Sequence, residues 1–241
     1  MRVRAAIFDV YGTLLEVGPP PGDADERWKA LFRDTFKSEP ALSRLDFSIA
    51  TNRAIAMRHA EAKARGIQFP EIVWPCIVAE VLSGFSRLSP SLQDEFIFRQ
   101  IQIGRTTQLK TGVGYVMQLL LNRGCVLGIA SNAQHYTIRE LQEALAGNGA
   151  HFNQFESSLC VWSFENGFSK PDPHVFQIVS ARLEARGIST AETLVIGDRL
   201  DNEIEPARAY GMQTWHLTTY PSPAPKSGSW EALANQLQHG W

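Results

Sequence analysis

Three short apolar runs, each ending in a polar residue, do most to limit the folds open to this chain. AAIF (5–8) ends at Asp9, CVLGIA (125–130) at Ser131, and TLVIG (193–197) at Asp198. Each has the character of a strand buried on both faces. The latter two follow helix-like stretches that close on Arg-Gly or a short loop. Alternating strand and helix signals imply a parallel sheet with right-handed crossovers, an α/β, Rossmann-like doubly wound core. In such sheets the carboxyl ends of the strands share one crevice. Asp9, Ser131 and Asp198, far apart in sequence, are therefore expected to meet there.

Between Leu15 and about Thr107 the strand signals vanish. PPPG at 19–22 is a turn, and helical patterns follow around 24–37, 47–65, 70–84 and 91–104. Asp23 reads as a helix N-cap, and Gly66 and Gly84 as stops. This is an all-helical insert after the first strand, placed to act as a lid. The division expected is an α/β core over 1–15 and 107–220, a helical cap domain over 16–106, and a C-terminal tail, 221–241, packed on the core. Within the core the pattern predicts helices over 113–122, 134–146, 173–186 and 202–210, with strands over 125–130, near 159–162, and over 193–197 and 212–217. The insert's Trp28, Phe32, Phe36, Phe47, Trp74 and Phe85 read as helix-packing core.

The chain has 241 residues, enough to bury one sizeable core or a core with a small insert. Its 23 basic and 25 acidic residues leave a net charge of −2, so no global positive field favours nucleic acid or an anionic membrane. The opening MRVRAAIFDV has two arginines before an apolar stretch. Asp9 interrupts that stretch after a few residues, which argues against a signal peptide. No apolar run approaches transmembrane length. The three cysteines, Cys76, Cys125 and Cys160, lack metal-type spacing and read as reduced, mostly buried thiols of a cytoplasmic protein.

Asp9 is either a strand-end aspartate exposed to solvent or a reactive carboxylate at a ligand crevice. Gly12 permits a sharp turn beside a ligand, and the Thr13 hydroxyl can hold the turn or the carboxylate. Ser131 and Asn132 offer a hydroxyl and a backbone N–H for an anion, or an ordinary cap for the helix near Gln134. Lys170 lies in FSKPDPHVF, where Pro171 and Pro173 restrict the backbone and hold the lysine just ahead of a helix. Asp198, with Asp201 and Glu203 beyond it, suits a hard cation such as Mg²⁺, or a helix N-terminus that favours acids.

Taken together and in this order, these segments resemble the four motifs of the haloacid dehalogenase superfamily: Asp9–Leu14, Ser131, Lys170 in KPDP, and Gly197–Glu203. The insert resembles that superfamily's C1 cap. The resemblance implies a hydrolase with Asp9 as nucleophile, forming a covalent aspartyl intermediate that water hydrolyses. It implies that Ser131 and Lys170, with Gly12 and Asn132 nearby, bind the transferred group. It implies Mg²⁺ on Asp9, Asp198 and the backbone carbonyl of Tyr11, with Glu203 reaching it through water. The substrate would be a small molecule and the protein a monomer or homodimer.

Tyr11 departs from the usual phosphatase pattern, in which an aspartate at that position protonates the leaving alcohol. A phenol with a pKa of about 10 is a poor base near neutral pH. The FD-x-YGTL pattern resembles the 2-haloacid dehalogenases of the same superfamily, in which halide leaves without a proton, whereas the Gly197-Asp198 pair resembles the metal-dependent phosphatases. Three readings stand: Mg²⁺-dependent hydrolysis of a small phosphorylated metabolite, metal-free 2-haloacid dehalogenation, and binding on an inactive enzyme scaffold. The second requires an arginine of the insert facing the site, with Arg27, Arg33, Arg44, Arg53 and Arg58 as candidates.

Overall fold

The computed structural model describes residues 3–219 and 226–239. The tail expected over 221–241 thus lies outside the described residues at 221–225 and 240–241. Strand β1 (Ala5–Phe8) lies at the centre of a six-stranded parallel sheet. Counted along the chain, the sheet also contains β4 (Val126–Ser131), β5 (Phe155–Trp162), β6 (Thr193–Gly197), β7 (Gln213–Leu217) and β8 (Ser227–Gly228). The spatial order is β5-β4-β1-β6-β7-β8. Renumbered within the sheet this is 3-2-1-4-5-6, the doubly wound order, with the switch point at β1. Phe8 is in register with Ile129 of β4 and Ile196 of β6, which aligns the ends of the three strands.

Burial on both faces explains why β1 is apolar throughout. Ala6 and Phe8 face one core cluster, with Val116, Met117 and Leu120 of α5 (Val113–Asn122) and Leu141 and Leu145 of α6 (His135–Ala146). Ala5 and Ile7 face the other, with Phe176, Val179 and Leu183 of α8 (Pro173–Glu184) and Ala207 of α9 (Glu205–Ala209). A short helix, α7 (Ser163–Asn166), follows β5. Helix α10 (Trp230–His239) contributes Trp230, Leu233, Ala234 and Leu237 to the first cluster. The Trp230 ring stacks on Phe8 with centroids 6.3 Å apart, and its Nε1 donates to the Thr13 carbonyl at 3.3 Å.

The segment between β1 and the rest of the sheet forms helices α1 (Ala24–Phe36), α2 (Arg44–Ala64), α3 (Trp74–Val81) and α4 (Pro90–Gly104). They enclose a separate aromatic cluster, with Trp28, Phe32, Phe47, Phe85 and Phe96 buried and Phe36 and Trp74 packed against it. Two strands bound the insert where none is predicted: β2 (Leu15–Gly18) and β3 (Thr106–Leu109) pair as an antiparallel ribbon. Both are four residues long and half exposed; β3 is mostly polar and β2 is broken by Glu16 and Gly18, so no apolar run marks them.

Other boundaries shift as well. Helix α3 spans 74–81 rather than 70–84, and Gly84 opens a short 3₁₀ turn, Phe85–Arg87, instead of ending the helix. Asp23 precedes α1, but its carboxylate bonds Arg27 and makes no cap. The helix predicted over 202–210 begins as a π-helical turn, Leu200–Ile204, before α9. Cys125 and Cys160 are buried and Cys76 is exposed. Burial pushes the Cys160 thiol up to about 12. Among the described residues, no helix is long and apolar enough to cross a membrane.

Replacing Trp230 with alanine empties a buried site against β1 and the turn that follows it. The expected loss is about 3–5 kcal/mol of stability, measured by urea unfolding.

Candidate active site

The crevice forms where β1, β4 and β6 end. Val10–Leu15 folds back on itself, with Leu15 N donating to Val10 O at 2.8 Å and Gly12 N to Leu15 O at 2.8 Å. Gly12 has φ +83°, and a Cβ there would sit 2.2 Å from Asp198 Oδ2. A glycine is needed both for the turn and to let Asp198 approach the backbone.

Asp9 is 7% exposed, and its backbone N–H is fixed on Ile196 O at 3.0 Å. Its Oδ1 accepts from Lys170 Nζ at 2.7 Å and from Ser131 Oγ at 3.1 Å. Both bonds fall on one oxygen, so Oδ2 is the atom left for a substrate. Lys170 is 3% exposed and uses all three ammonium protons: on Asp9 Oδ1, on Ala130 O at 2.8 Å, and on Glu203 Oε1 at 2.7 Å. Burial alone pulls the lysine pKa down, but the Asp9 and Glu203 carboxylates outweigh it and leave the pKa above its ordinary value. The lysine is held charged.

Asn132 does not point a free amide at a ligand. Its side chain clamps the Lys170 backbone, accepting from Lys170 N at 2.6 Å and donating to Lys170 O at 2.9 Å. Pro173 opens α8, and Asp172 caps it by accepting from His174 N at 3.0 Å. The lysine is thus fixed from both sides.

Thr13 Oγ1 lies 3.3 Å from Asp198 Oδ1, so its hydroxyl serves Asp198 rather than Asp9. The Asp198 carboxyl is pushed up, first by burial and next by the Asp9 charge, with Thr13 and Lys110 opposing. Lys110 Nζ itself donates to Gly12 O. Glu203 has both oxygens engaged, Oε1 by Lys170 and Oε2 by Arg199 N at 3.0 Å. A Cβ on Gly197 would come within 2.7 Å of Glu203 Cβ, so this glycine lets the glutamate lie across the end of β6. The Glu203 carboxyl is pushed up by burial and by Asp9, against the pull of Lys170.

Tyr11 belongs to a different network. Its hydroxyl bonds Glu140 Oε2 and lies 2.7 Å from Thr137 Oγ1. Arg105 Nη2 donates to the phenol oxygen at 2.6 Å and to Glu140 Oε2 at 2.7 Å, with the guanidinium 4.3 Å above the tyrosine ring. Gln102 Nε2 completes the shell of Glu140 at 2.8 Å. Burial drives the phenol pKa well above its ordinary value, and Glu140 adds to this while Arg105 opposes it.

Sequence reasoning missed Arg105, Lys110 and Glu140. One signal was available for the last: Thr137 and Glu140 lie one turn apart on α6, beside its apolar stripe of Ile138, Leu141 and Leu145. Of the five arginines proposed to face the site, Arg27, Arg33, Arg53 and Arg58 are exposed and Arg44 is half-buried, and Arg27, Arg33, Arg44 and Arg58 form surface ion pairs. Arg105, at the junction of α4 and β3, reaches Tyr11 instead.

The family model described as "Hydrolase: haloacid dehalogenase-like hydrolase" matches residues 3–211. No curated protein matches the chain. Among solved structures, the putative HAD-hydrolase YfnB from Bacillus subtilis, bound to magnesium, is 22% identical with a TM-score of 0.57, covering 99% of this chain and 100% of that one. A HAD phosphatase from Thermococcus onnurineus is 17% identical with a TM-score of 0.56, covering 98% of each chain. The L-2-haloacid dehalogenase RSc1362 is also 17% identical, with a TM-score of 0.55 and coverage of 99% and 100%. At these identities the structures share the fold.

Tyr11→Phe is expected to hold turnover within about ten-fold of wild type, against the 10²–10⁴-fold loss that follows removal of a general acid or base. It should also cost about 1–3 kcal/mol, because buried Glu140 and its arginine lose a partner. A pH–rate profile and urea unfolding measure the two effects. A limb of the profile that disappears in the variant would return the phenol to the chemistry.

Proposed function

The chain belongs to the haloacid dehalogenase-like hydrolases, and within that family we propose Mg²⁺-dependent hydrolysis of a small phosphorylated metabolite, with Asp9 as the nucleophile. The observation that carries this reading is the charge balance at the strand ends. Asp9 and Glu203 bond Lys170, Asp198 feels the charge of Asp9, and the cations acting on Asp198 are Lys110 and Arg199, the latter already paired with Asp201. Three carboxylates against two ammonium groups leave an acidic crevice that repels any anionic substrate. Lys170 is spent on Asp9 Oδ1 and Glu203, so it relieves neither Asp198 nor the second oxygen of Asp9.

Asp198 and Asp9 fit a hard divalent cation. Among the described residues no preformed cluster of three metal-ligating side chains is found, but Mg²⁺ needs only one or two carboxylates, the balance of its ligands being waters and phosphate oxygens. Asp9, Asp198 and the Tyr11 carbonyl would hold it. Glu203 would act on Lys170 instead, since both its oxygens are engaged. When bound, the cation would neutralise the developing charge on the phosphoryl oxygens.

The protein's own steps follow from the bonds already described. Asp9 Oδ2 attacks phosphorus and the phosphorus–oxygen bond to the leaving group breaks, giving an aspartyl phosphate. Lys170 and Ser131 keep Oδ1 fixed, so the attacking oxygen does not rotate away. Water then cleaves the acyl phosphate, releasing phosphate and restoring Asp9. Tyr11 is tied to Glu140 and Arg105 and holds its proton tightly, so it supplies no acid to the leaving group. This favours a good leaving group, as in an acyl phosphate, or a substrate that brings its own acid.

One observation favours metal-free displacement of halide: the same tethered phenol, harmless where the leaving group needs no proton. A turnover panel of phosphate esters, acyl phosphates and 2-haloacids, each with Mg²⁺ and with chelator, separates the two. The expected outcome is phosphate release that chelator abolishes and that Asp9→Asn lowers by roughly 10⁴-fold or more. Halide release undiminished by chelator would overturn it.

A further inference from the structure

The loop between α2 and α3 is seated beside the segment that leads into Lys170. Ser169 N donates to Phe69 O at 2.8 Å, Glu71 N donates to Gly167 O at 3.0 Å, and Pro70 and Phe168 form an antiparallel bridge between these bonds. At the centre of this contact the Glu71 carboxylate accepts four hydrogen bonds. Its Oε1 takes Ile72 N at 2.8 Å and Gln134 Nε2 at 3.0 Å. Its Oε2 takes Ser169 Oγ at 3.0 Å and the Ser163 hydroxyl. All four donors are neutral, and four is the full capacity of a carboxylate.

The partners of Glu71 are next to the groups that touch Asp9. Ser169 precedes Lys170. Gln134 follows Ser131–Ala133 and is held a second time by the insert, donating to Ile72 O at 2.8 Å and accepting from Trp74 N at 2.9 Å. Ser163 receives Ala133 N at 2.8 Å. The Asn132 clamp on Lys170 then joins the two core segments to each other. One side chain of the helical insert therefore gathers the loop of Ser131 and the loop of Lys170.

We propose that Glu71 is a positioning residue, whose carboxylate holds the Ser131 and Lys170 loops in register with Asp9 while the 69–72 loop is seated. This rests on the hydrolase reading given above. A glutamine at this position keeps the bulk but offers a single acceptor oxygen, so it can hold only part of the set. An alanine releases Gln134, Ser163 and Ser169 together. Because Glu71 touches none of the groups that bond Asp9, its loss acts through their placement, and a displacement of about 1 Å in such groups costs on the order of 100-fold in rate.

The test combines hydrogen–deuterium exchange with steady-state kinetics on wild type, Glu71→Ala and Glu71→Gln. The alanine variant is expected to exchange faster at 131–134 and 167–172 as well as at 69–72. Its kcat should fall by about 100-fold with KM within a few-fold, and the glutamine variant should lie between. Faster exchange confined to 69–72, with kcat as in wild type, would overturn the proposal. Should the alanine variant not fold, Glu71→Gln and Ser169→Ala carry the same comparison. If wild type turns over nothing on the substrate panel, the hydrolase reading fails, and the exchange pattern alone still decides whether Glu71 holds the two loops.

Discussion

The buried ammonium of Lys170 is the interaction on which the rest of the crevice depends. A lysine inside a protein loses its hydration, and that loss is recovered only where every proton finds an acceptor and the charge finds its opposite. Here two carboxylates and a carbonyl take the three protons, and the pKa rises despite burial. Removing one partner would leave an uncompensated charge, which costs about 3–5 kcal/mol in such pairs. The requirement extends outward. Asn132 must hold the lysine backbone, Gly197 must let Glu203 cross the end of β6, and Ala130 must present its carbonyl at the end of β4.

This arrangement gives Asp9 two unlike sides. Oδ1 faces a cation and a hydroxyl, both tightly held. The other side faces Asp198, whose half-buried carboxyl is pushed up first by desolvation and then by the charge on Asp9, with Thr13 and Lys110 opposing. As the proposed nucleophile, Asp9 is oriented by a lysine that it shares with Glu203. The residual negative charge is what a divalent cation and an anionic substrate would together resolve, and it is why the Mg²⁺ reading ranks above the metal-free one.

Much of this was legible in the chain because strand ends are visible as apolar runs that stop. Asp9, Ser131 and Asp198 fall at such stops, and the prolines around Lys170 mark a rigid approach to a helix. Helix α5 lies over the predicted 113–122 because its apolar period is unbroken and Gly112 bounds it. What escaped has a common cause. The ribbon of β2 and β3 is short and half exposed, so its pairing is set by the ends of the insert and not by local pattern. Glu71, Arg105 and Glu140 act through partners 35 to 129 residues away along the chain, and no spacing within one element announces that. Roles also moved where the sequence could not give direction. Thr13 serves Asp198, and Asn132 serves the lysine backbone.

Tyr11 takes on a different meaning in this setting. Read against a family pattern it marks a missing acid, but its surroundings give it a positive part to play. The ring lies under the Arg105 guanidinium, and the hydroxyl joins Glu140 and Thr137 of α6 to an arginine at the edge of the insert. An aspartate at this position would bring a second carboxylate towards Glu140 and would lose the ring on which the guanidinium rests. The chain therefore has α6, the first turn and the insert tied together at the position where the usual acid would stand. In the proposed hydrolysis, chemistry at Asp9 must accommodate that tie, which keeps the phenol from protonating a leaving group.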